Sequence, residues 1–461
     1  MTLGTKLADW AAGLRFDDLP AEVVADCRLR LLDTLGVALA AAPLPIGVAV
    51  RKAGRAMGGG DAATVLGEGS RSSAANAAMV NGTLAHAMDF DDTHNESVMH
   101  PSAPSVAAAL AACEAVQASG RELIVGIAIG NELGCRLGLV TPGAFHGVGL
   151  HPTSVLGAPA ATAAVGRLWH LSPAQIASGF GISASQASGV LEAYSDGTWS
   201  KTLHPGWAAH AAIVAGHLAQ ADFTGPATAF EGRYGIYRAL LPADTKMDLA
   251  AATDGLGSDW TCLGTAFKLY PNAHAIHAFI EAALQLREAH KLSADSIRSV
   301  ELAVPAEFVG QIAEPRDAKL APRTSTHARA SVFYAVAAAL VDGKVDAAHY
   351  EGDAFRRPDL LAMARRIVAR IVPAGDTIRF SGGVTIECND GPAVSTFVAE
   401  ADGTGSRRLD ESRVVGKFAA TAGSVLAPAA RDRLAEMILS VDRIDDVTRL
   451  AAACTIPGLD G

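Results

Sequence analysis

Three His-Pro dipeptides are the part of this sequence best suited to chemistry; they stand at His100-Pro101, His151-Pro152 and His204-Pro205. Each precedes an alanine-rich, helix-like segment. Proline disfavours the helical conformation in the residue before it and fits the first position of a helix. We therefore expect each histidine just ahead of a helix N-terminus, where free backbone N–H groups and the helix dipole favour anions. The alternative is that each histidine merely caps a helix.

A fourth segment of this kind is Tyr270-Pro271, with His274 and His277 on the opening turns of the helix that follows. If several such helix ends converge, they form a socket for carboxylates. Lys201 lies three residues ahead of His204 and could hold a carboxylate there. On composition alone, Lys201 would be an ordinary surface lysine.

The segment His86–Thr93 reads HAMDFDDT and ends seven residues before His100. Its three aspartates lie so close together that at least one is expected to have a raised pKa or a cationic partner. One of them could orient a histidine or act as a base. The alternative is a loop of solvated aspartates in which Asp92 or Thr93 caps a helix.

A metal site is an open alternative, because side chains with suitable ligand atoms lie close in sequence, namely Asp89, Asp91, His94 and His100. His274 and His277 form an i, i+3 pair that could also ligate a metal. The sequence has no HExxH motif and no GxxxxGK[ST] loop. The serines at 183 and 185 do not form a GxSxG elbow, so serine hydrolase chemistry has no support.

The elements that must position these residues are mostly helices. From about residue 3 to 265, apolar residues recur at three- and four-residue spacing, as in Val23–Ala40, Ala103–Ala118 and Ala208–Leu218. Segments that are apolar all round indicate helices buried among other helices. The tail is helical again at Glu411–Ala420 and Ala429–Leu439.

The pattern changes near residue 295. Ser299–Val304, Gly383–Cys388 and Ala393–Ala401 alternate as half-buried strands do, and the last two flank the turn signal Asn389-Asp390-Gly391. Two helical segments, 325–343 and 356–371, are predicted between them. The fold class is therefore mainly α, with an all-helical domain from residues 1–266 and 406–461 and an inserted, smaller α+β domain at 267–405.

Composition excludes some classes of protein. Half of the 461 residues are hydrophobic, the net charge is −10, and no Lys/Arg-rich run marks a nucleic-acid binder. The longest apolar stretch, Gly36–Val50, contains two prolines and is too short to span a bilayer. Six widely spaced cysteines indicate buried thiols in a reducing compartment. We read no signal peptide, so a cytoplasmic protein without nucleic-acid or membrane partners is expected.

The same residues resemble the MmgE/PrpD family, which includes 2-methylcitrate dehydratase, cis-aconitate decarboxylase and iminodisuccinate epimerase. The similarity runs in order along nearly the whole chain. Its most specific block joins DFDDT to His100-Pro101-Ser102. The other matching segments are Asn81–Thr83, His151–Ser154, Lys201–His204, Lys268–Pro271 with His274 and His277, Ser331–Tyr334 and Val415–Phe418.

The resemblance implies a helical domain made from both chain ends, an inserted α+β lid, a homodimer and no required cofactor. It also implies an active site in the cleft between the two domains. Carried over residue by residue, that site consists of Asp89, Thr93, His100, His151, Lys201, His277 and Tyr334. His274 is added as a candidate, although the spacing before His277 varies among relatives. The role of His94 is open.

The chemistry shared by the family is proton movement at a carbon next to a carboxylate. We expect His100, oriented by Asp89, to be the acid/base, and Tyr334 and His277 to complete the site from the lid. Lys201 and the helix ends behind His151 and His204 are expected to bind carboxylates of a small di- or tricarboxylate substrate.

Dehydration of a 2-methylcitrate-like acid is the first choice of reaction. Decarboxylation of cis-aconitate and epimerisation of iminodisuccinate or a related dicarboxylate are the alternatives. Two further alternatives come from other classes: a metal-dependent hydrolase or lyase, and a catalytically silent helical protein that only binds a carboxylate.

Overall fold

The computed structural model describes residues 1–373, 375 and 378–459 and is mainly helical. Helices of eight residues or more are numbered along the chain. They are α1 (Leu3–Gly13), α2 (Ala21–Ala41), α3 (Pro45–Ala56), α4 (Ala74–His86), α5 (Ser102–Ala115), α6 (Gly120–Leu139), α7 (Gly157–Leu168), α8 (Pro173–Gln186), α9 (Ser200–Gln220), α10 (His277–Ala289), α11 (Val332–Asp342), α12 (Glu411–Ala422) and α13 (Pro428–Leu439).

Two sheets accompany the helices. The strands β1 (Ala63–Thr64) and β2 (Arg71–Ser72) form a short antiparallel pair. The strands β3 (Ile297–Pro305), β4 (Ile367–Val372), β5 (Gly382–Cys388) and β6 (Val394–Val398) form one sheet in the order β4-β3-β5-β6. The strand predicted at 299–304 and the hairpin around Asn389-Asp390-Gly391 are confirmed as β3 and the antiparallel pair β5–β6.

Buried apolar side chains fall into two large cores. One contains residues from Leu3 to Phe267 together with residues from Leu409 to Ile456. The other contains residues from Ala273 to Ala401, including the inward faces of β3 and β5. This distribution supports the proposed division into residues 1–266 with 406–461 and an inserted lid at 267–405.

Small residues let the central helices approach closely. Every residue of α5 except its last is buried, as the continuous apolar pattern predicts. Where α4 crosses α9, a Cβ on Gly82 would lie 2.8 Å from the Cα of Gly206. A side chain at either glycine would push the two helices apart, so this crossing fixes the position of α9.

Two local predictions are wrong. The segment predicted as a helix at 356–371 is a short helix, Pro358–Ala364, followed by β4, which pairs in parallel with β3. The run IVARIV at 367–372 is rich in β-branched residues, and pairing with β3 decides its conformation. His204-Pro205 does not precede a helix, because α9 already begins at Ser200 and Pro205 lies inside it.

All six cysteines are buried free thiols, as predicted. No single helix in the described part of the chain has the length and apolar composition needed to cross a membrane. The bent pair formed by α2 and α3 meets these criteria only when its two helices are taken together.

Candidate active site

The loop between α4 and α5 carries most of the predicted site, and three buried cations hold its backbone. Three successive carbonyl oxygens each accept a hydrogen bond from a different distant side chain: Met88 from Arg329 (2.9 Å), Asp89 from Lys268 (3.1 Å) and Phe90 from Lys417 (2.7 Å). A two-way backbone bridge between Thr93 and Ala266 fixes the end of the loop. Because charged donors form strong hydrogen bonds, these contacts hold the loop in one conformation.

A small cavity of about 30 Å³ lies between this loop and the lid. It brings together five of the predicted site residues, and its full lining is Asp89, Thr93, Val98, His100, His146, Tyr194, Lys201, Ala273, His274, Ala275, Phe308, Gln311 and Phe380. A larger cavity of about 440 Å³ borders Trp199 and Tyr350. None of the described residues lining that larger cavity is a histidine, lysine or aspartate, so we place the candidate site in the smaller one.

Asp89 is an ionised carboxylate held between two lysines. Its Oδ1 accepts a hydrogen bond from Lys268 Nζ at 2.6 Å, and its Oδ2 lies 3.8 Å from Lys201 Nζ. Burial alone would raise the pKa of Asp89, but the two ammonium groups outweigh it and lower that pKa well below its usual value. Among the described residues the structure shows no hydrogen bond between Asp89 and His100, and the orienting role of Asp89 stays a prediction.

His100 is oriented by the backbone of the same loop. Its Nδ1–H donates to the carbonyl oxygen of Asp92 at 2.7 Å, with Thr93 Oγ1 at 3.2 Å. This contact leaves Nε2 unprotonated in the neutral ring. Burial lowers the pKa of His100 well below its usual value, and the charges of Lys268 and Lys201 act in the same direction. His100 is therefore a neutral imidazole, and its Nε2 is available to accept a proton.

The carboxylate that does orient a histidine is Asp91. Both of its oxygens lie 2.8 Å from Nδ1 of His86, whose Nε2 accepts a hydrogen bond from Lys201 Nζ at 2.8 Å. This chain of contacts fixes the ammonium group of Lys201 at the cavity wall. The sequence named Asp91 as a possible metal ligand and as one of three aspartates that could orient a histidine, whereas it gave His86 no role.

Asp92 is buried against the first residue of helix α5, so the alternative of a loop of solvated aspartates is wrong for it. Its carboxylate accepts hydrogen bonds from Ser102 N at 3.2 Å and from Ser102 Oγ at 2.5 Å, and it lies 3.4 Å from Arg30. Burial raises the pKa of Asp92 to about 6, and the negative charge of Asp91 adds to this shift. The expectation that crowded aspartates would have a raised pKa or a cationic partner is confirmed.

His151 and His204 lie beside this group but do not line the cavity. Their Nδ1 atoms are 3.1 Å apart, so one ring donates an N–H and the other accepts it. Burial lowers the pKa of His151 well below its usual value and that of His204 to about 3. His151 does precede a helix, the short Pro152–Val155.

The lid contributes His274 to the cavity, with His277 directly behind it. Their rings are 4.8 Å apart, and all four ring nitrogens are buried without a hydrogen-bond partner in the described part of the chain. The structure does not bring Tyr334 to this group. Its hydroxyl lies in the lid core, 2.7 Å from the carbonyl oxygen of His349 and 3.0 Å from that of Ala354.

The sequence did not identify every residue at the cavity. His146, Tyr194 and Gln311 lie in no recognisable motif, and Lys268, which contacts the lining residue Asp89, belonged only to a matching segment. His94, whose role was open, lies outside the lining of the cavity. Its Nδ1 accepts a hydrogen bond from Ser97 N at 3.2 Å and lies 2.8 Å from Ser97 Oγ, so it stabilises the loop.

The imidazoles of His86, His100 and His151 are close enough to suggest a metal site, because each offers a nitrogen within 4.8 Å of the others. However, Asp91 and Lys201 already occupy the two nitrogens of His86. The Lys201 ammonium group lies 2.8 Å from Nε2, near the position that a metal ion would take. As arranged, this group suits an anionic ligand better than a metal ion.

Comparison with known proteins identifies the family of this chain. Residues 5–248 match the model of the MmgE/PrpD N-terminal domain, and residues 270–443 match that of the MmgE/PrpD C-terminal domain. The chain is 27% identical to a cis-aconitate decarboxylase of Aspergillus terreus, over 98% of this chain and 96% of the relative. It is 25% identical to the cis-aconitate decarboxylases of Mus musculus and Homo sapiens, over 94% and 95% of this chain and 89% and 91% of theirs. The chain belongs to the MmgE/PrpD family.

Proposed function

We propose that this protein is a lyase that decarboxylates cis-aconitate, or a closely similar unsaturated tricarboxylate, without a cofactor. The support is similarity along almost the full length to proteins named cis-aconitate decarboxylase. Decarboxylation thus replaces dehydration of a 2-methylcitrate-like acid as the first choice. Epimerisation stays an alternative that the experiment below distinguishes.

The observation that carries the chemistry is the pairing of a neutral His100 with ammonium groups around one cavity. Decarboxylation breaks the bond between a carbon and its carboxylate, releases CO2 and leaves an electron pair that must accept a proton. A bound tricarboxylate brings several negative charges next to His100, which raises the pKa of its imidazole. We propose that His100 takes up a proton as substrate binds and delivers it to carbon.

Lys201 supplies the positive charge for a substrate carboxylate. Its ammonium group lines the cavity and is held at a fixed point by His86. Such preorganised charge stabilises a developing negative charge without reorganisation during the reaction. The negative charge of Asp89 lies between the ammonium groups of Lys201 and Lys268 and reduces the repulsion between them.

The remaining predicted site residues take two proposed roles. Thr93 and His274 line the cavity and can contact substrate directly. His151, His204 and His277 lie behind the lining and position the residues in front of them. Tyr334 has no proposed role at the cavity, because its hydroxyl is bound within the lid core.

The test is a proton NMR time course of the chelator-treated protein in D2O with cis-aconitate, 2-methylcitrate, citrate and both enantiomers of a few substituted succinates. We expect the vinyl signal of cis-aconitate to disappear as a deuterated five-carbon dicarboxylate forms. His100→Gln should abolish this conversion and leave the folded structure intact.

Other outcomes would contradict the proposal. Water loss from 2-methylcitrate, with cis-aconitate unchanged, would restore dehydration as the function. Interconversion of the substituted succinates would indicate an epimerase. Activity that returns only on adding metal would establish the metal-dependent alternative. Binding of these acids without any turnover would indicate a silent carboxylate-binding protein.

The homodimer and the cytoplasmic location implied by the resemblance and the sequence stay predictions. Light scattering during size-exclusion chromatography tests the first, because the protomer mass is 47.2 kDa and a dimer has twice that mass.

A further inference from the structure

Tyr194 is a cavity residue that no sequence motif singled out. It lies on the short helix Ala193–Asp196 and lines the same cavity as Asp89 and Lys201. Its ring centre is 6.0 Å from Lys201 Nζ. Tyr194 is therefore the tyrosine among the described residues that line this cavity.

The hydroxyl of Tyr194 is held from the opposite side of the cleft. Gln311 Nε2 donates a hydrogen bond to Tyr194 Oη at 2.5 Å. Gln311 belongs to the lid segment, on the short helix Val309–Ile312, whereas Tyr194 belongs to the helical part of the chain. Both residues also line a neighbouring cavity of about 380 Å³. The hydrogen bond between Tyr194 and Gln311 is therefore part of the wall that separates the small cavity from this larger one.

This contact leaves the proton of Tyr194 available. The phenol oxygen accepts the hydrogen of Gln311, and its own O–H has no acceptor among the residues that the structure describes. Burial raises the pKa of Tyr194, and the negative charge of Asp89 adds to the shift, so the phenol stays a donor. A neutral O–H and the Lys201 ammonium group line the same cavity, so the site offers two different donors to carboxylate oxygens.

We propose that Tyr194 contacts the substrate by donating a hydrogen bond to one of its carboxylates, and that Gln311 orients the Tyr194 hydroxyl from across the cleft. This assignment rests on the proposed function for the identity of the ligand, a small tricarboxylate. Tyr237 offers a matched comparison, because it is also a buried tyrosine but its hydroxyl donates to the backbone carbonyl oxygen of Leu137 at 2.7 Å, away from the cavity.

The experiment compares Tyr194→Phe with Tyr237→Phe, since each variant keeps its ring and loses only a hydroxyl. The readouts are kcat/KM on cis-aconitate and Tm with and without the saturated analogue tricarballylate. Loss of a hydrogen bond to a charged group lowers kcat/KM by roughly 10- to 100-fold, and we expect this for Tyr194→Phe. We also expect Tyr194→Phe to keep the ligand-free Tm and to lose most of the rise in Tm that tricarballylate causes.

The control should behave in the opposite way. Tyr237→Phe is expected to lower the ligand-free Tm, because the buried carbonyl oxygen of Leu137 loses its donor, and to keep kcat/KM within about twofold of wild type. A Tyr194→Phe protein with wild-type kcat/KM and a full tricarballylate shift overturns the assignment. If Tyr194→Phe does not fold, Gln311→Met tests the same contact, and an unchanged kcat/KM in that variant overturns it.

Failure of the proposed function gives a different result. If wild-type protein does not convert cis-aconitate but its Tm rises with tricarballylate, the reaction is wrong, and the loss of that shift in Tyr194→Phe still supports the binding role. A wild-type protein with neither turnover nor a tricarballylate shift overturns both the function and the role of Tyr194.

Discussion

Asp92 makes a testable prediction about stability, because its carboxyl group is buried at the start of α5. Burial raises the pKa of Asp92 from 3.8 to about 6. A carboxyl group with a raised folded-state pKa binds its proton more tightly in the folded protein than in the unfolded chain. The ionised group therefore destabilises the fold, and this destabilisation develops as the pH rises from about 4 to about 6.

The size of the effect follows from the shift. A difference of about two pKa units corresponds to about 3 kcal/mol between fully protonated and fully ionised Asp92. Asparagine resembles the protonated carboxyl: its oxygen can accept from Ser102 N, and its amide group can donate to Ser102 Oγ. The stability of Asp92→Asn relative to wild type should therefore increase by about 2 kcal/mol as the pH rises from about 4.5 to about 8.

The assay is thermal unfolding of both proteins across this pH range. With an unfolding entropy of about 2 cal/mol/K per residue, 2 kcal/mol shifts the Tm of a chain of this length by roughly 2 °C. Asp91→Asn is the matched control, because pairing with His86 lowers the pKa of Asp91 despite its burial. That variant should lose stability at high pH. A Tm difference between Asp92→Asn and wild type that stays constant with pH would refute the reasoning.

Three further variants test other parts of the structure. Lys417→Met removes the cation 2.7 Å from buried Asp33 and should cost about 3 to 5 kcal/mol, measured as a fall in Tm; an unchanged Tm would contradict this. Gly206→Ala would place a Cβ 2.2 Å from the Met79 carbonyl oxygen, and the overpacked α4–α9 crossing should lower both Tm and kcat/KM. Lys201→Met should lower kcat/KM by roughly 10- to 100-fold. Unchanged KM and kcat in this variant would contradict the carboxylate-binding role.

The sequence predicted the elements whose signals are local. Helices α2, α5, α12 and α13 follow from apolar periodicity, and the β5–β6 hairpin follows from its turn residues. The strand β4 was predicted as helix, since a short apolar run fits both patterns until a partner strand is known. Pro205 was expected at a helix start, but α9 already begins five residues earlier, at Ser200.

The candidate site was only partly predictable, because its contacts join distant parts of the chain. The types of residue in HAMDFDDT and the His-Pro dipeptides indicated where a carboxylate would bind. Nothing local indicates that Lys268 meets Asp89 across 179 residues, or that Gln311 meets Tyr194 across 117. The tyrosine carried over from the family, Tyr334, shows the same limit, since a motif gives a residue type but not the direction of its side chain.

We expect ligand binding at the small cavity, protonation of His100 and movement of the cavity wall to be linked. A cavity of about 30 Å³ has room for only a few water molecules at most, so a six-carbon tricarboxylate cannot occupy it as it stands. The neighbouring cavity of about 380 Å³ shares Val98, His146 and Phe308 with it, as well as Tyr194 and Gln311. Movement of the first three side chains would give the ligand room while the Tyr194–Gln311 bond stays in place. The same ligand that needs this room brings the negative charge that raises the pKa of His100. We therefore expect proton uptake on ligand binding, and a calorimetric titration with tricarballylate in buffers of different ionisation enthalpy would measure it; a binding enthalpy independent of the buffer would show that His100 stays neutral.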